Sequence, residues 1–306
     1  MRIAITAASG LIGGALSAQF QRDGADVLRL VRRPAGAGEL QWDPTRPDGG
    51  LSGTALDGFD AVVHLSGAPV APRRWTPARK QELRDSRIES TSTLIRAMLA
   101  APTPPRVLLA GSAVGYYGDT GSAAVNESAP NGSGFLATLV RDWEQATIPA
   151  QAAGIRVVNL RSGVVLSARG GMLKSMLPPF RLGLGARFGA GTQYISWITL
   201  ADHVRATRFL LGHDDLAGPV NLTAPVPASN AELTRALASA LHRPAIFRVP
   251  SGVVRLGLGE LSVELLGSSR VVPGRLEAAG FTFEHPIIGP AVAAAISENL
   301  VSDVAG

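Results

Sequence analysis

The sequence predicts an α/β fold in which helices cover both faces of a doubly wound parallel sheet. Apolar runs of strand type recur along the chain, and each is followed by a stretch with helical spacing, which is typical of a parallel sheet. The chain opens with such a run, and a small-residue turn and an amphipathic helix follow directly. Its 306 residues, 46% hydrophobic and 17% charged, are sufficient for a core of this kind.

The first thirty-odd residues have the pattern of a unit that binds a dinucleotide. Residues 2–6 form a strand, residues 7–13 a turn, residues 15–20 a helix and residues 26–31 a second strand. Small side chains allow the main chain of the turn to approach a pyrophosphate closely. The unpaired N–H groups at the positive end of the helix attract phosphate. The sequence therefore predicts a Rossmann domain with its nucleotide site at this turn.

The glycine pattern of the turn departs from the usual fingerprint at one position. Gly10 and Gly13 occupy two of the three glycine positions, whereas Ala7 stands at the first. A methyl group is tolerated there only if the backbone keeps a negative φ, and we expect that conformation for Ala7. The alternative is a turn between strand and helix that binds nothing.

The end of the second strand indicates which nicotinamide cofactor is preferred. Sites that prefer NAD place a carboxylate there, which binds the ribose hydroxyls. In this chain Arg32 and Arg33 follow the strand, and no acidic residue occurs before Glu39. Two guanidinium groups fit a 2′-phosphate, so the sequence predicts NADP(H). The alternative is a pair of solvated arginines.

Composition and motif content exclude several classes of function. The chain has no cysteine, hence no disulfide, thiol nucleophile or thiolate metal site. No apolar run reaches the roughly 18 residues that span a bilayer, and no signal peptide is visible, so we expect a cytoplasmic protein without a membrane partner. The histidines lack the spacing of zinc ligands, which predicts no metal site, and His64 is expected to be a packed residue.

The basic character of the chain is not evidence for a nucleic-acid partner. The formal net charge is +5, and all but two of the 29 basic residues are arginine, the exceptions being Lys80 and Lys174. Together with the abundance of Ala, Gly and Pro, this is typical of a G+C-rich coding bias. We therefore expect a small-molecule substrate and no nucleic acid, while the oligomeric state is left open.

Two further predicted strands end in residues suited to a ligand site. One leads into Ser66 and Gly67, which leave room for adenosine and ribose. The other leads into Ser112, Tyr116 and Tyr117, whose hydroxyls would stand where substrate meets nicotinamide. In doubly wound sheets ligands bind at the carboxyl ends of the strands. The two phenols could equally pack against their own loop, and both interpretations stay open.

Capping residues predict the starts of several helices. Thr76, followed by Pro77, begins a long helix that we expect over residues 77–100, and Thr199 and Ser229 begin two others. Residues 134–153 and residues 253–266 are each expected to form one helix.

The chain is expected to divide into two domains. Residues 1–224 would form the Rossmann domain, and residues 225–306 a smaller C-terminal α/β domain that completes the substrate side of the cleft. Residues 170–192 are rich in Gly and Pro and lack strict periodicity. They are expected to lie over the active site, so that residues 166–192 contribute to the substrate side.

These residues together resemble the extended short-chain dehydrogenase/reductase superfamily. More narrowly, the chain is similar to an atypical family of NAD-dependent epimerase/dehydratase-like proteins that carry a small C-terminal domain. The resemblance covers essentially the whole chain. It rests on residues 6–13, 63–69, 86–91, 112–118, 141–144, 161–166, 221–225, 272–276 and 279–281.

The resemblance implies a Rossmann domain, NADP(H) as cofactor and a set of cofactor contacts. They fall on the first turn, on the end of the second strand and on the loop after the strand that ends at His64, with further contacts from the long helix and a later strand. The implied contacts are Thr6, Ala7, Ser9, Gly10, Leu11, Ile12, Arg32, Leu65, Ser66, Gly67, Glu82, Arg87 and Val164.

The catalytic pattern of the superfamily is incomplete in this chain. Its members use a Tyr with a Lys four residues later, and here tyrosine occurs only at positions 116, 117 and 194. Neither lysine follows any of them at that spacing. Aligning Glu144 with the superfamily's helix puts Leu136 and Val140 at the Tyr and Lys positions. Without the lysine, a phenol is a poor base at neutral pH.

Three hypotheses for function follow. In the first, Tyr116 or Tyr117, assisted by Ser112, handles the proton of a carbonyl or sugar-nucleotide-like substrate. In the second, the protein reduces a substrate that is activated enough to need little acid catalysis. In the third, the fold is a non-catalytic NADP(H)-binding sensor or partner-binding module, since some similar proteins carry a cell-division-inhibitor label.

Overall fold

The computed structural model describes residues 1–46, 49–71 and 73–304 of the chain. The strands are β1 (Arg2–Thr6), β2 (Asp26–Val31), β3 (Glu39–Gln41), β4 (Ala61–His64), β5 (Val107–Ala113), β6 (Arg156–Ser162), β7 (Val164–Leu166), β8 (Ala186–Phe188), β9 (Tyr194–Ile195), β10 (Trp197–Thr199), β11 (Gly218–Leu222), β12 (Ala228–Ser229) and β13 (Phe247–Val249).

The helices alternate with these strands over most of the chain. They are α1 (Leu11–Arg22), α2 (Pro77–Leu99), α3 (Phe135–Gln145), α4 (Ile148–Ala152), α5 (Gly171–Arg181), α6 (Leu200–Leu211), α7 (Asn230–Leu241), α8 (Ser251–Leu258), α9 (Ser262–Leu266), α10 (Gly274–Ala278) and α11 (Ile288–Val304). In the part of the chain that the structure describes, no helix is long and apolar enough to cross a membrane.

Within the described residues, seven strands form a parallel sheet in the order β11-β6-β5-β4-β1-β2-β3. The chain builds outward from β1 in one direction and from β4 in the other, so the crevice for a ligand opens where these two neighbours end. The predicted doubly wound Rossmann fold is confirmed.

Alternate residues of each central strand face opposite layers. Ile3 and Val63 pack with α1 and α6 on one face, whereas Ala4 and Val62 pack with α2 and α4 on the other. Both faces are buried, which explains why the central strands are continuous apolar runs rather than alternating ones.

A separate core holds helices α5, α7 and α11 together. Leu173 of α5, Leu237 of α7 and Val292 of α11 lie in it, together with Leu166 and Trp197 from the chain before residue 224. The C-terminal helices therefore pack on residues that precede them in the chain. The exact division at residue 224 stays a prediction.

The predicted caps are confirmed. The hydroxyls of Thr76, Thr199 and Ser229 each accept a hydrogen bond from the amide three residues later. Each satisfies one of the N–H groups that a helix start leaves unpaired.

Two predicted long helices are interrupted in the structure, and both predictions are wrong in this respect. Residues 134–153 form α3 and α4, which are separated at Ala146 and Thr147, with Pro149 in the first turn of α4. Residues 253–266 fall in α8, a 3₁₀ turn and α9, and the break comes at Gly259, whose φ is 58°. A left-handed glycine ends a helix at little cost.

Helices α5, α10 and α11 are absent from the sequence prediction. Helix α5 lies in the segment taken to lack periodicity, and it contains Pro178 and Pro179. Neither residue has an N–H to donate within the helix, so a proline pair at this position does not indicate a helix from sequence alone. The terminal helix α11 follows a stretch for which we predicted no element.

Candidate functional site

The turn between β1 and α1 offers main-chain donors at the carboxyl edge of the sheet. The amide of Gly10 donates to the carbonyl of Ala7 at 2.9 Å, which closes the turn. In the described part of the chain, the amides of Leu11 and Ile12 have no acceptor. These amides stand at the positive end of a twelve-residue helix and can receive an anion.

Ala7 does not have the backbone conformation that we expected, and that prediction is wrong. Its φ is 52°, in the left-handed region. This conformation directs the Ala7 carbonyl toward the Gly10 amide, and it costs an alanine roughly 1–2 kcal/mol. Burial of Leu16 and Phe20 on the same helix stabilises the unit against this cost.

Gly13 is required by the close approach of helix α1 to the turn. A Cβ atom at Gly13 would lie 2.4 Å from the carbonyl oxygen of Ala7 and 2.9 Å from its carbonyl carbon. Because these are main-chain atoms of the turn, a side-chain movement cannot relieve the overlap. The cradle therefore has the shape that a pyrophosphate-binding turn needs, although its first glycine is an alanine.

A chain of buried hydrogen bonds lies beneath this turn. The hydroxyl of Thr6 lies 3.0 Å from Nδ1 of His64 and accepts from the amide of Leu65. On the other side of the ring, Nε2 of His64 lies 3.1 Å from Thr91, whose hydroxyl also accepts from Trp143 Nε1. Burial lowers the pKa of His64 to about 3, so the ring is neutral and packed, as the sequence indicated.

The two arginines after β2 have different environments. Arg33 donates to both carboxylate oxygens of Glu39, at 2.7 and 2.8 Å. Hydrogen bonds from Arg33 and from the Gly36 amide lower the pKa of Glu39 to about 2. Arg32 is exposed and has no hydrogen bond or ion pair within the described residues. Only Arg32 of this pair is therefore free to bind a phosphate.

Two arginines of helix α2 hold the loop after β4 through hydrogen bonds to its carbonyl groups. Arg87 is buried and donates to the carbonyl of Ala68, and its Cζ would lie 3.1 Å from a Cβ atom at Gly67. Arg79 donates to a carbonyl of the same loop and pairs with Glu82 at 2.6 Å. Arg87 and Glu82 thus act on the loop through protein contacts, whereas Gly67 is exposed.

Ser112 and Tyr117 belong to a buried network of polar groups. Ser112 donates to Glu144 at 2.6 Å, and Arg161 binds both oxygens of that carboxylate at 2.8 Å. Arg161 also donates to the hydroxyl of Tyr117, which in turn donates to Asn221 at 2.7 Å. The network joins the carboxyl ends of β5, β6 and β11 to helix α3.

The two adjacent tyrosines differ in what their hydroxyls can do. Tyr117 is only 4% exposed, its hydroxyl both donates and accepts inside the protein, and burial raises its pKa. Tyr116 is half-buried, and its hydroxyl has no hydrogen-bond partner among the described residues. The guanidinium of Arg161 lies 3.5 Å from the centre of the Tyr116 ring and holds that ring in place.

The positions aligned with the superfamily Tyr and Lys present apolar side chains. A Cβ atom at Gly115, one residue before Tyr116, would lie 3.5 Å from Leu136 Cβ and 3.8 Å from Val140 Cγ2. Neither of these two side chains can donate a proton in the way that the superfamily Tyr and Lys do.

The segment after β6 also lies near the cradle. Val164 is half-buried, and its amide donates to the carbonyl of Ser196 at 2.8 Å. At the start of α5, a Cβ atom at Gly170 would lie 3.3 Å from Leu11 Cδ2. Part of the 166–192 segment is thus adjacent to the first turn of α1.

Sequence reasoning missed Glu144, Arg161 and Asn221 as members of the site. Each lies in a segment that resembles the superfamily, but nothing in one sequence shows that they meet. They come from a helix and two strands that are separated by 17 and 60 residues along the chain, and only folding brings them together.

Comparison with known proteins adds to this geometry. The model of the NAD dependent epimerase/dehydratase family matches residues 3–223, and that of a domain of unknown function (DUF1731) matches residues 249–295.

The chain belongs to the NAD-dependent epimerase/dehydratase family. It is 50% identical over 292 residues to the epimerase family protein Mb2239 of Mycobacterium bovis, covering 95% of this chain and 96% of the relative. The predicted resemblance to the extended short-chain dehydrogenase/reductase superfamily is confirmed.

Solved structures of two relatives have the same fold. The human epimerase family protein SDR39U1, crystallised with NADPH, superposes with a TM-score of 0.88 at 34% identity, covering 97% of this chain and 99% of that one. The nucleoside-diphosphate sugar epimerase from Corynebacterium glutamicum superposes with a TM-score of 0.80 at 36% identity. The match covers 96% of this chain and 57% of that relative.

Replacing Gly13 with Ala should damage the cradle of this epimerase/dehydratase family member. Because the added methyl group meets main-chain atoms, we expect a loss of about 1–3 kcal/mol in the free energy of unfolding. Gly289→Ala in α11 is the control, since a Cβ atom there meets nothing within 4 Å. Urea denaturation of both variants measures the difference, and equal stabilities would contradict the close approach.

The buried histidines should make the protein less stable in mild acid. Burial lowers the pKa of His64 to about 3 and that of His203 to about 4, whereas both lie near 6.5 in the unfolded chain. The unfolded chain thus takes up protons first, and stability falls as the pH drops below 6.5 toward those folded-state values. We expect the two rings to contribute a loss of about 3 kcal/mol between pH 6.5 and about pH 5, which is offset in part by Glu264, whose pKa is raised by burial to about 7.

Urea denaturation across this pH range measures the loss. His203→Gln should remove about half of it, since that ring contributes one of the two protons. The same pH dependence of the free energy of unfolding in the wild type and in His203→Gln would contradict the assignment of that ring as neutral.

Proposed function

We propose that this protein binds NADP(H) and acts as an oxidoreductase or epimerase on a carbonyl or sugar-nucleotide-like substrate. The observation that carries the proposal is the cradle between β1 and α1. There the amides of Leu11 and Ile12 lack acceptors in the described chain, and Gly13 allows the close approach. The NADPH in the crystal structure of human SDR39U1 supports the cofactor.

The preference for the phosphorylated cofactor is assigned to Arg32. It follows β2, where a ribose 2′-phosphate would lie, and it has no ion pair within the described residues. Glu39, the nearest downstream carboxylate, is bound by Arg33. Glu39 is therefore already engaged and is not available to bind ribose hydroxyls.

Bound NADPH would supply a hydride to the carbonyl carbon, and the protein must then supply a proton to the oxygen. Tyr116 is the proposed donor, because its hydroxyl is unpaired among the described residues and its ring is held by Arg161. Ser112 and Tyr117 are positioning residues in this proposal, since their hydroxyls are bound inside the protein.

The substrate side of the cleft is assigned to the small C-terminal domain. We retain residues 225–306 as that domain, with residues 166–192 contributing, because the two stretches share a core. A sugar-nucleotide-like substrate is supported by the relative from Corynebacterium glutamicum, which is described as a nucleoside-diphosphate sugar epimerase.

A non-catalytic, cofactor-binding module is the second candidate. The observation that favours it is the apolar pair Leu136 and Val140 beside Gly115, where the superfamily has its Tyr and Lys. If NADPH binds but a broad panel of carbonyl compounds and sugar nucleotides is never turned over, this candidate replaces the first.

Replacing Arg32 with Ala should weaken NADPH binding selectively. A charge-assisted contact to the 2′-phosphate contributes about 1.5–3 kcal/mol, so we expect a loss of about 10- to 100-fold in NADPH affinity. NADH affinity should change far less, because NADH lacks that phosphate. Isothermal titration calorimetry with both cofactors measures the effect.

Arg33→Ala is the matched control for this experiment. It removes an equal charge one residue away, but from a guanidinium that Glu39 already binds. Its effect on NADPH should be clearly smaller than that of Arg32→Ala. Equal losses for NADPH and NADH in the Arg32 variant would show that Arg32 does not bind the 2′-phosphate.

The two tyrosines should respond differently to replacement by Phe. Tyr116→Phe removes the proposed proton donor and should lower kcat by about 100-fold or more. Tyr117→Phe leaves Nη1 of Arg161 and Oδ1 of Asn221 without the buried hydroxyl that they bind, and it should cost about 1–3 kcal/mol of stability. NADPH oxidation and urea denaturation measure the two effects. Unchanged turnover in the Tyr116 variant would remove it as the donor.

A further inference from the structure

The turn between β7 and α5 brings an arginine next to the nucleotide cradle. Strand β7 ends at Leu166, and residues 167–170 form a tight turn before α5 begins at Gly171. The amide of Gly170 donates to the carbonyl of Ser167 at 3.4 Å, which closes the turn. Arg169 is the third residue of this turn and is exposed. It is not among the cofactor contacts that the sequence predicted.

The main chain on which Arg169 stands is held firmly by its surroundings. Leu166, Ser167 and Ala168 are all buried. The hydroxyl of Ser167 accepts a hydrogen bond from the Arg169 amide at 3.2 Å, and β7 pairs in parallel with β10. A ligand that binds Arg169 therefore has to order only the side chain, which keeps the entropic cost of binding low.

Gly170 places this turn against the start of helix α1. A Cβ atom at Gly170 would lie 3.3 Å from Leu11 Cδ2 and 3.6 Å from Leu11 Cβ. Leu11 supplies one of the two amides of the cradle that have no acceptor in the described chain. The Cα atom of Arg169 is only one peptide unit, about 3.8 Å, from that of Gly170. The long side chain of Arg169 can therefore reach an anion that binds at the Leu11 amide.

Arg169 carries a positive charge that no protein group neutralises among the described residues. Its main-chain amide binds Ser167, but its guanidinium forms no hydrogen bond or ion pair there. By contrast, Arg161 of β6 is bound to Glu144 and to the hydroxyl of Tyr117. The guanidinium of Arg169 is thus available to a ligand.

The cradle itself has no basic side chain. Residues 6–13 supply only main-chain amides and small or apolar side chains. The diphosphate of a dinucleotide is doubly negative, whereas a helix start offers only a partial positive charge. Arg32 is assigned to the ribose 2′-phosphate, which is a different group. A guanidinium with forked donors beside the cradle would supply the charge that the diphosphate needs.

We propose that Arg169 binds the diphosphate of the nicotinamide cofactor. The assignment rests on the proposed function, because it requires a dinucleotide in the cradle. Arg169 would donate to phosphate oxygens from its guanidinium, while the amides of Leu11 and Ile12 donate from the start of α1. NADPH and NADH share the diphosphate, so Arg169 contributes affinity for both cofactors, and the preference between them is left to Arg32.

Replacing Arg169 with Gln should weaken both cofactors equally. Isothermal titration calorimetry should show a loss of about tenfold or more in the affinity for NADPH and for NADH, with an unchanged ratio between the two. Arg169→Lys should retain part of the affinity, because it keeps the charge but not the fork. The pattern differs from that of Arg32→Ala, which should affect NADPH far more than NADH.

Arg181→Gln is the matched control. Arg181 is an exposed arginine without an ion pair among the described residues, and it is the last residue of α5. The ten helical residues that separate it from Gly171 span about 15 Å. Its replacement should leave both affinities unchanged. A loss of equal size in this variant, or a loss confined to NADPH in Arg169→Gln, would overturn the assignment of Arg169.

Titration with ADP separates this assignment from the proposed function. ADP has the diphosphate but neither nicotinamide nor a 2′-phosphate, so its affinity should fall about tenfold or more in Arg169→Gln and stay unchanged in Arg32→Ala. Equal ADP affinities in the wild type and in Arg169→Gln would overturn the role of Arg169. If neither NADPH nor NADH binds, the proposed function fails, and the ADP titration of the same variants still decides whether Arg169 binds a diphosphate.

Discussion

The contact between helix α1 and the turn before it determines the geometry of the nucleotide end of the sheet. Ala7 adopts a left-handed conformation, its carbonyl receives the Gly10 amide, and Gly13 passes within van der Waals distance of the same carbonyl. This packing directs the start of α1 toward the crevice between β1 and β4. Small side chains in this turn allow a dinucleotide to approach the helix end closely.

Buried polar networks hold the carboxyl ends of the strands in register around that crevice. Thr6 and His64 connect β1 with β4, and Glu144 and Arg161 connect α3 with β6. Buried polar groups are costly unless paired, so each network has few alternative arrangements. Charged and hydroxylated residues at this edge therefore divide into those that support the site and the few that remain free. Arg32 and Tyr116 are in the second group.

Much of the fold could be predicted from local pattern. The apolar runs gave strands such as β2 with the correct bounds, and the hydroxyl caps at Thr76 and Thr199 gave the correct helix starts. Local pattern failed where the effect of a single residue on the backbone, such as whether it ends a helix, depends on the surrounding structure. Pro178 and Pro179 sit inside a real helix, and Gly259 ends one where hydrophobic periodicity continues. Tertiary packing decides both cases.

By itself the sequence determined the parallel α/β sheet, the position of the nucleotide turn and the absence of a Tyr-x-x-x-Lys pair. These properties depend on the spacing of residue types along the chain. Only the tertiary structure decided that Glu39 binds Arg33, that Tyr117 is enclosed with Arg161 and Asn221, and that Arg248 and Arg255 line one cavity. Periodicity shows which faces are apolar, but the partner of a polar group comes from a distant segment, and folding alone brings the two together.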